Sequence, residues 1–168
     1  MHPGLHRVAL NVYGALPTVL RRWTVRLVAP SFTVGAIAVI ERADGSLLLV
    51  RQAYRSRWGV PGGLLQRGES PADGVRREVA EEVGLAIELV GEPAVVVDPI
   101  PQRVDLVYRA RPVSEAAADQ VRPCSPEIDQ VAWHEPDALP ELQAETAQAL
   151  VTLARSSRSP QAPRLSAE

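Results

Sequence analysis

The stretch from Trp58 to Gly84 constrains this chain more than any other, because its punctuation leaves few backbone conformations open. Trp58-Gly59-Val60-Pro61-Gly62-Gly63 packs three glycines and a proline into six residues, which excludes a helix. A helix with both ends marked then follows. Ser70 is an N-cap residue, Pro71 takes the first helical position, and Asp73 completes a capping-box pattern. Gly84 is the natural stop after Val83. At 100° per residue, Ala72, Val75, Val79, Ala80 and Val83 read as the inward arc of this helix. Glu78, Glu81 and Glu82 read as the opposite arc.

The flanks supply strands. Val34 to Glu41 is β-branched and apolar, Asp44-Gly45 is a hairpin turn, and Leu47 to Arg51 continues as the second strand. Further strands are expected at Ile87–Val90, Ala94–Val97, Val104–Arg109 and Ile128–Trp133, with a closing helix over Leu142–Leu153. Strands and helices in this mixed order predict an α/β layered fold. Ahead of it, residues 1–32 form a basic, acid-free extension with apolar residues at helical spacing. Leu5, Val8, Val12 and Leu16 precede Pro17, and Val19, Leu20, Trp23 and Leu27 follow it. Two short helices packed on the domain or on a second subunit are favoured over a membrane-surface helix. Arg7, Arg21, Arg22 and Arg26 are few for an anchor. The expected division is an extension at 1–32, a domain at 33–155 and a frayed polar tail at 156–168.

Three carboxylates within one helical turn repel one another, and a solvated face would normally intersperse basic residues. Ionised carboxylates so clustered suit a hard divalent cation, and magnesium keeps several waters that serve phosphate chemistry. Taken alone, the cluster is as readily a wet acidic face. Gly62-Gly63 tips the balance, because a glycine just before the helix lets the backbone approach an ion or phosphate closely.

Composition narrows the partners. All eighteen basic residues are arginine, so any cationic contact to phosphate comes from arginine, a metal or backbone N–H groups. The net charge of −2 argues against a long nucleic acid as partner. Cys124 is the single cysteine and supports neither an internal disulfide nor a zinc site. No apolar run reaches bilayer length and no signal peptide is read, so the expected compartment is the cytoplasm, without stable membrane insertion.

The defined residues now line up. Gly63, five residues, Glu69, seven residues, Arg77-Glu78-Val79-Ala80-Glu81-Glu82-Val83-Gly84-Leu85 resembles the Nudix box at every defined position. Chance would produce seven fixed residue types at fixed spacing in roughly one window in 10⁸. With its flanks, the likeness extends over about residues 33–153. It implies an α/β/α sandwich with a mixed β-sheet that hydrolyses a nucleoside diphosphate linked to another moiety, such as ADP-ribose or a nucleotide sugar. It also implies Mg²⁺, with Mn²⁺ able to substitute. Carried over by position, Glu78 and Glu82 resemble the principal metal ligands. Glu81 resembles a further ligand or water-activating residue, and the Gly62 carbonyl another ligand. Glu69 and Arg77 resemble the pair that braces the loop against the helix. Glu127 stands where several members place an additional glutamate, so it is the candidate general base or a supplementary ligand, with Glu78 and Glu81 able to do the same work. Homodimers are common in the family, and the N-terminal helices offer one interface.

Arg51, Arg55, Arg57, Arg67 and Arg103 lie on segments able to face a cleft, with Arg51 and Arg57 the leading candidates for substrate phosphate. Tyr54, Trp58 and Tyr108 are candidates to stack on a base. Pro101 follows the box at about the separation of ADP-ribose-type members. Pyrophosphatases that sanitise oxidised nucleoside triphosphates and non-catalytic nucleotide-sensing domains are the alternatives. An isomerase on the same fold needs a cysteine context that Arg122-Pro123-Cys124-Ser125-Pro126 lacks.

Overall fold

The computed structural model describes residue 17 and residues 31–156. The helices expected before Pro30 lie outside the described residues, as does the tail expected at 156–168 except for Ser156, which ends the last helix. Among the described residues, six strands and three helices follow in the order β1 (Thr33–Ile40), β2 (Leu47–Gln52), β3 (Gly62–Leu64), α1 (Pro71–Val83), β4 (Ile87–Asp98), β5 (Arg103–Pro112), α2 (Glu115–Ala118), β6 (Ile128–His134) and α3 (Ala144–Ser156).

Four strands make one sheet in the order β3-β1-β5-β4. Strand β1 runs parallel to β5 and antiparallel to β3, and β4 runs antiparallel to β5, so the sheet is mixed. Strands β2 and β6 form a separate antiparallel pair. Residues of β1 serve both faces by alternation. Ala36, Ala38 and Ile40 meet Val75, Val79 and Val83 of α1, along with Leu48, Val50 and Ile128 from the β2/β6 pair. On the other face, Val39, Ala94 and Val107 meet Ala149 and Leu153 of α3. The result is an α/β/α sandwich. Each of the three fully buried valines of α1 contributes about 1.5 kcal/mol or more of apolar burial. Among the described residues no helix is long and apolar enough to cross a membrane.

Several details depart from expectation. The Asp44-Gly45 turn forms, with Arg42 N–H donating to the Ser46 carbonyl at 2.9 Å. Only the Glu41–Leu47 bridge joins the two arms, however, and β1 and β2 diverge into different sheets. The turn residues set the reversal, while hydrophobic partners further along choose the pairing. The strands expected at Ile87–Val90 and Ala94–Val97 are one strand, β4, with an irregularity between Val90 and Ala94. Gly91 sits in that irregularity at φ 70°, a conformation that favours glycine. Short helix α2 was not anticipated, and α3 begins at Ala144 rather than Leu142.

Helix α1 itself keeps its expected ends. The Ser70 side chain accepts from the Asp73 N–H at 3.2 Å, and Gly84 closes the helix at φ 70°. Its wheel needs one correction. Ala80 is exposed, and Glu82 is buried with the valines at 6% exposure. Seven helical residues make nearly two whole turns, so Glu82 returns beneath Val75 and not opposite it.

Candidate functional site

The site is assembled where β3 delivers its glycines against α1. Gly62 pairs with Ile37 and Gly63 with Ala36 across the β1/β3 ladder. The absence of a side chain at Gly63 is used directly. A Cβ there would lie 2.6 Å from the Glu78 carboxylate carbon, so Glu78 occupies that space. Gly62, at φ 138°, turns its N–H to the Glu82 carboxylate at 2.9 Å. Two of the three helix glutamates therefore lie on the glycine strand.

Glu82 is the electrostatic centre of the site. Burial pushes its carboxyl up to about 7, and the charges of Glu78, Glu127 and Glu81 push the same way. The hydrogen bond from Gly62 opposes that shift only in part. Glu127, on the loop before β6, is thus brought into the field of the helix glutamates. It stays there because its carbonyl accepts from Ala53 N–H at 2.9 Å and its own N–H donates to the Ser125 hydroxyl at 3.2 Å.

Arg77 ties the region together. Its Nε and Nη2 donate to the two oxygens of Glu69 at 2.8 and 3.0 Å, a bidentate pair. Its Nη1 reaches Glu78 at 2.9 Å and Glu81 at 3.1 Å. Hydrogen bonds from Arg77 and from the Gln66 N–H hold the Glu69 carboxyl at about 2. The Glu69 bond likewise raises the Arg77 guanidinium above its ordinary range. The loop from Leu64 to Ser70 is thereby clamped to the helix.

Among the described residues, no three His, Cys, Asp or Glu side chains already converge on a single point able to hold a metal ion. Glu82 faces Gly62, Glu78 fills the space over Gly63, and Glu81 leans toward Arg77 and solvent. Their chemistry nevertheless fits a divalent cation, because a buried carboxylate among like charges, with no cationic partner among the described residues, is relieved by one.

Four of the arginine candidates, Arg51, Arg55, Arg57 and Arg103, meet acids. Arg51 pairs with Asp129 and Arg57 with Glu141, each at 2.6 Å. Arg55 bonds Gln143 and Glu145, and Arg103 bonds Asp105, so neither Arg51 nor Arg57 stands as a bare cation over the glutamates. Of the aromatic candidates, Tyr108 belongs to the core and Trp58 packs edge-on against His134, leaving Tyr54 exposed.

A cavity of about 200 Å³ opens on the α3 face of the sheet, lined in part by Asp98, Arg103, Asp105, Glu145 and Gln148. Sequence reading missed its acids. Asp105 carried a signal, since an acid inside the apolar run Val104–Tyr108 is buried only when paired.

The described chain matches known proteins along most of its length. The NUDIX domain family model covers residues 31–154. A MutT-like protein from Streptomyces ambofaciens is 36% identical over 116 residues, which is 69% of this chain and 72% of that protein. The crystal structure of a MutT Nudix hydrolase from Burkholderia pseudomallei superposes with a TM-score of 0.62 at 28% identity, covering 74% of this chain and 99% of that one. An ADP-ribose pyrophosphatase from Streptococcus suis gives 0.62 at 27% identity, over 77% and 94% of the two chains. With the complete box on β3 and α1, the glutamates gathered at its glycines and a family match over most of the chain, this protein belongs to the Nudix family and is a pyrophosphohydrolase.

Proposed function

We propose that this enzyme cleaves the diphosphate bond of a nucleoside diphosphate joined to a second moiety, of the ADP-ribose or nucleotide-sugar kind, in a Mg²⁺-dependent reaction. The observation that carries the reading is the buried carboxylate of Glu82, set among Glu78, Glu81 and Glu127 and supported by the Gly62 backbone N–H. Glu78, Glu81, Glu82 and the Gly62 carbonyl would hold Mg²⁺, or Mn²⁺ in its place. When bound, the ion neutralises diphosphate oxygens and acidifies a water. Glu127 takes the proton of the attacking water, with Glu78 and Glu81 as the alternates on the helix. Glu69 and Arg77 keep the loop and the glycine strand in register with α1. Arg51 and Arg57 reach substrate phosphate by exchanging Asp129 and Glu141 for it. Both pairs are partly exposed, and such pairs are worth about 1 kcal/mol or less, so the exchange is cheap.

Similarity to a MutT-like protein favours a second reading, hydrolysis of oxidised nucleoside triphosphates by the same glutamates. One assay separates the two. Phosphate release is followed on ADP-ribose, nucleotide sugars, dinucleoside polyphosphates and normal and oxidised triphosphates, with a coupled phosphatase for monoester products. Turnover of the sugar-linked diphosphates, dependent on Mg²⁺ and lost in Glu82→Gln, is expected. Turnover confined to triphosphates would replace the first reading by the second, and full activity in Glu82→Gln would sink both.

A further inference from the structure

The residues from Trp58 to Gly62 each bond a different part of the fold. The Trp58 N–H donates to the Glu141 carbonyl at 3.0 Å, and its carbonyl accepts from the Gln143 N–H at 2.8 Å, in the segment that leads into α3. Gly59 exchanges two backbone bonds with Val50 of β2, each at 2.8 Å. The Pro61 carbonyl accepts from the Ala38 N–H of β1 at 2.9 Å. The Gly62 N–H donates to the Glu82 carboxylate of α1 at 2.9 Å. Between these, the Val60 N–H donates to the Thr146 hydroxyl oxygen of α3 at 3.3 Å. Of these bonds only those of Val60 and Gly62 end on side chains, so only they depend on which residue stands opposite.

Thr146 is an odd choice for packing alone. With Ala149 and Leu153 it forms the buried stripe of α3, and it is 3% exposed. Valine has nearly the same shape and would fill the place without burying a hydroxyl, which costs free energy unless paired. The pairing it makes is with Val60. From Val60 to the Gly62 nitrogen the chain is stiff. Pro61, fully buried, holds its φ near about −65°, and a residue before proline is confined to extended backbone, which β-branched Val60 also favours. Gly62, at φ 138°, supplies a bend that glycine takes readily. Its nitrogen lies on the stiff side of that bend, in the planar peptide whose carbonyl Ala38 holds. One hydrogen bond leaves that plane free to tilt. The Thr146 bond, at the other end of the Val60-Pro61 unit, removes the tilt.

We propose that Thr146 is a positioning residue for the glutamate site: its hydroxyl, acting through Val60-Pro61, sets where the Gly62 N–H meets Glu82. The effect on turnover rests on the hydrolase reading, while the effect on geometry does not. Gly62 gives its N–H to Glu82 and is the glycine whose carbonyl would hold the metal, so one displacement disturbs both. Helix α3 thereby reaches the site from the far face of the sheet through a single oxygen.

The test reads the Gly62 amide in metal-free protein by proton–nitrogen correlation NMR, in wild type, Thr146→Val and Thr146→Ser. A carboxylate acceptor draws an amide proton downfield, so a loosened bond to Glu82 moves the Gly62 resonance upfield. Thr146→Val is expected to move it upfield and Thr146→Ser to return it. The same proteins are assayed with Mg²⁺. Thr146→Val should lower kcat about tenfold with KM near wild type, as loss of a group that orients a metal ligand does, and Thr146→Ser should recover most of it. A threonine that only fills the core would lower stability in the valine protein and leave the Gly62 resonance and kcat unchanged, which overturns the proposal. A displaced resonance with unaltered kcat overturns it too, as does a loss that serine fails to restore. Thr146→Ala replaces the valine protein in the comparison if the latter does not fold. A failed hydrolase reading shows itself separately, as no metal-dependent turnover of any compound by wild type. The Gly62 resonance then decides alone. An upfield shift in Thr146→Val that Thr146→Ser reverses supports the proposal, and an unmoved resonance overturns it.

Discussion

Replacing Glu82 by glutamine is expected to stabilise the metal-free protein at alkaline pH while removing its activity. The Glu82 carboxyl is 6% exposed, and burial with its acidic neighbours pushes it from 4.5 up to about 7. At about 1.36 kcal/mol per pKa unit, ionising it in the folded state costs on the order of 3 kcal/mol. The sign follows from the raised value. The stability linked to Glu82 is fully present below its unfolded pKa, near 4.5, and is lost as pH rises through about 7. Glutamine keeps an oxygen for the Gly62 N–H and never ionises, so it escapes that loss. Urea unfolding in EDTA is therefore expected to give nearly equal stabilities at pH 5, within about 1 kcal/mol, and a mutant more stable by about 3 kcal/mol at pH 8. Mg²⁺ at a hundredfold excess over its Kd should return about 2.7 kcal/mol to wild type at pH 8 and much less to the mutant. Turnover should fall about a hundredfold or more. A mutant no more stable than wild type at pH 8 in EDTA would refute the electrostatic reasoning, whatever its activity.

Three other perturbations probe the frame around Glu82. Glu69 is held at about 2, so its share of stability is present above pH 4.5 and lost as pH falls toward 2. Thermal midpoints between pH 5 and 2 are expected to drop less steeply in Arg77→Met, and kcat to fall by about tenfold or more as the loop loosens. In Gly63→Ala the new methyl meets the end of a flexible carboxylate, 2.6 Å from its carbon. The melting curve by circular dichroism should stay near wild type while kcat drops about tenfold, and an unaltered kcat would place Glu78 elsewhere. Ser70→Ala removes the N-cap of α1 and is expected to cost about 1 kcal/mol in urea without changing KM.

The parts of this enzyme legible in the sequence are those governed by neighbours along the chain. Caps and turns act within a few residues, so Ser70, Pro71, Gly84 and the Asp44-Gly45 reversal were readable from their own segments. The box residues were readable because their spacing is itself the pattern. The side on which each glutamate lies was less so. Sorting helix positions into an apolar and an acidic arc put Glu82 with the wet residues, although its sevenfold spacing from Val75 returns it to the packed stripe. Charge type suggested solvent, and packing overruled it.

What the tertiary structure alone decided lies across the sheet. No local signal says that β1 and β2 part after their shared turn, or that β1 takes β3 on one side and a parallel β5 on the other. Yet that pairing sets Gly63 against Glu78, hands the Gly62 N–H to Glu82 and lays Arg103 and Asp105 over Gly35. The same pairing turns distant acids such as Asp105 and Gln148's helix toward one cavity. The sequence determined which residues carry chemistry and the local backbone each occupies. Which of them meet depended on how the strands bury their apolar faces, a balance summed over the whole sheet and not written in any one segment.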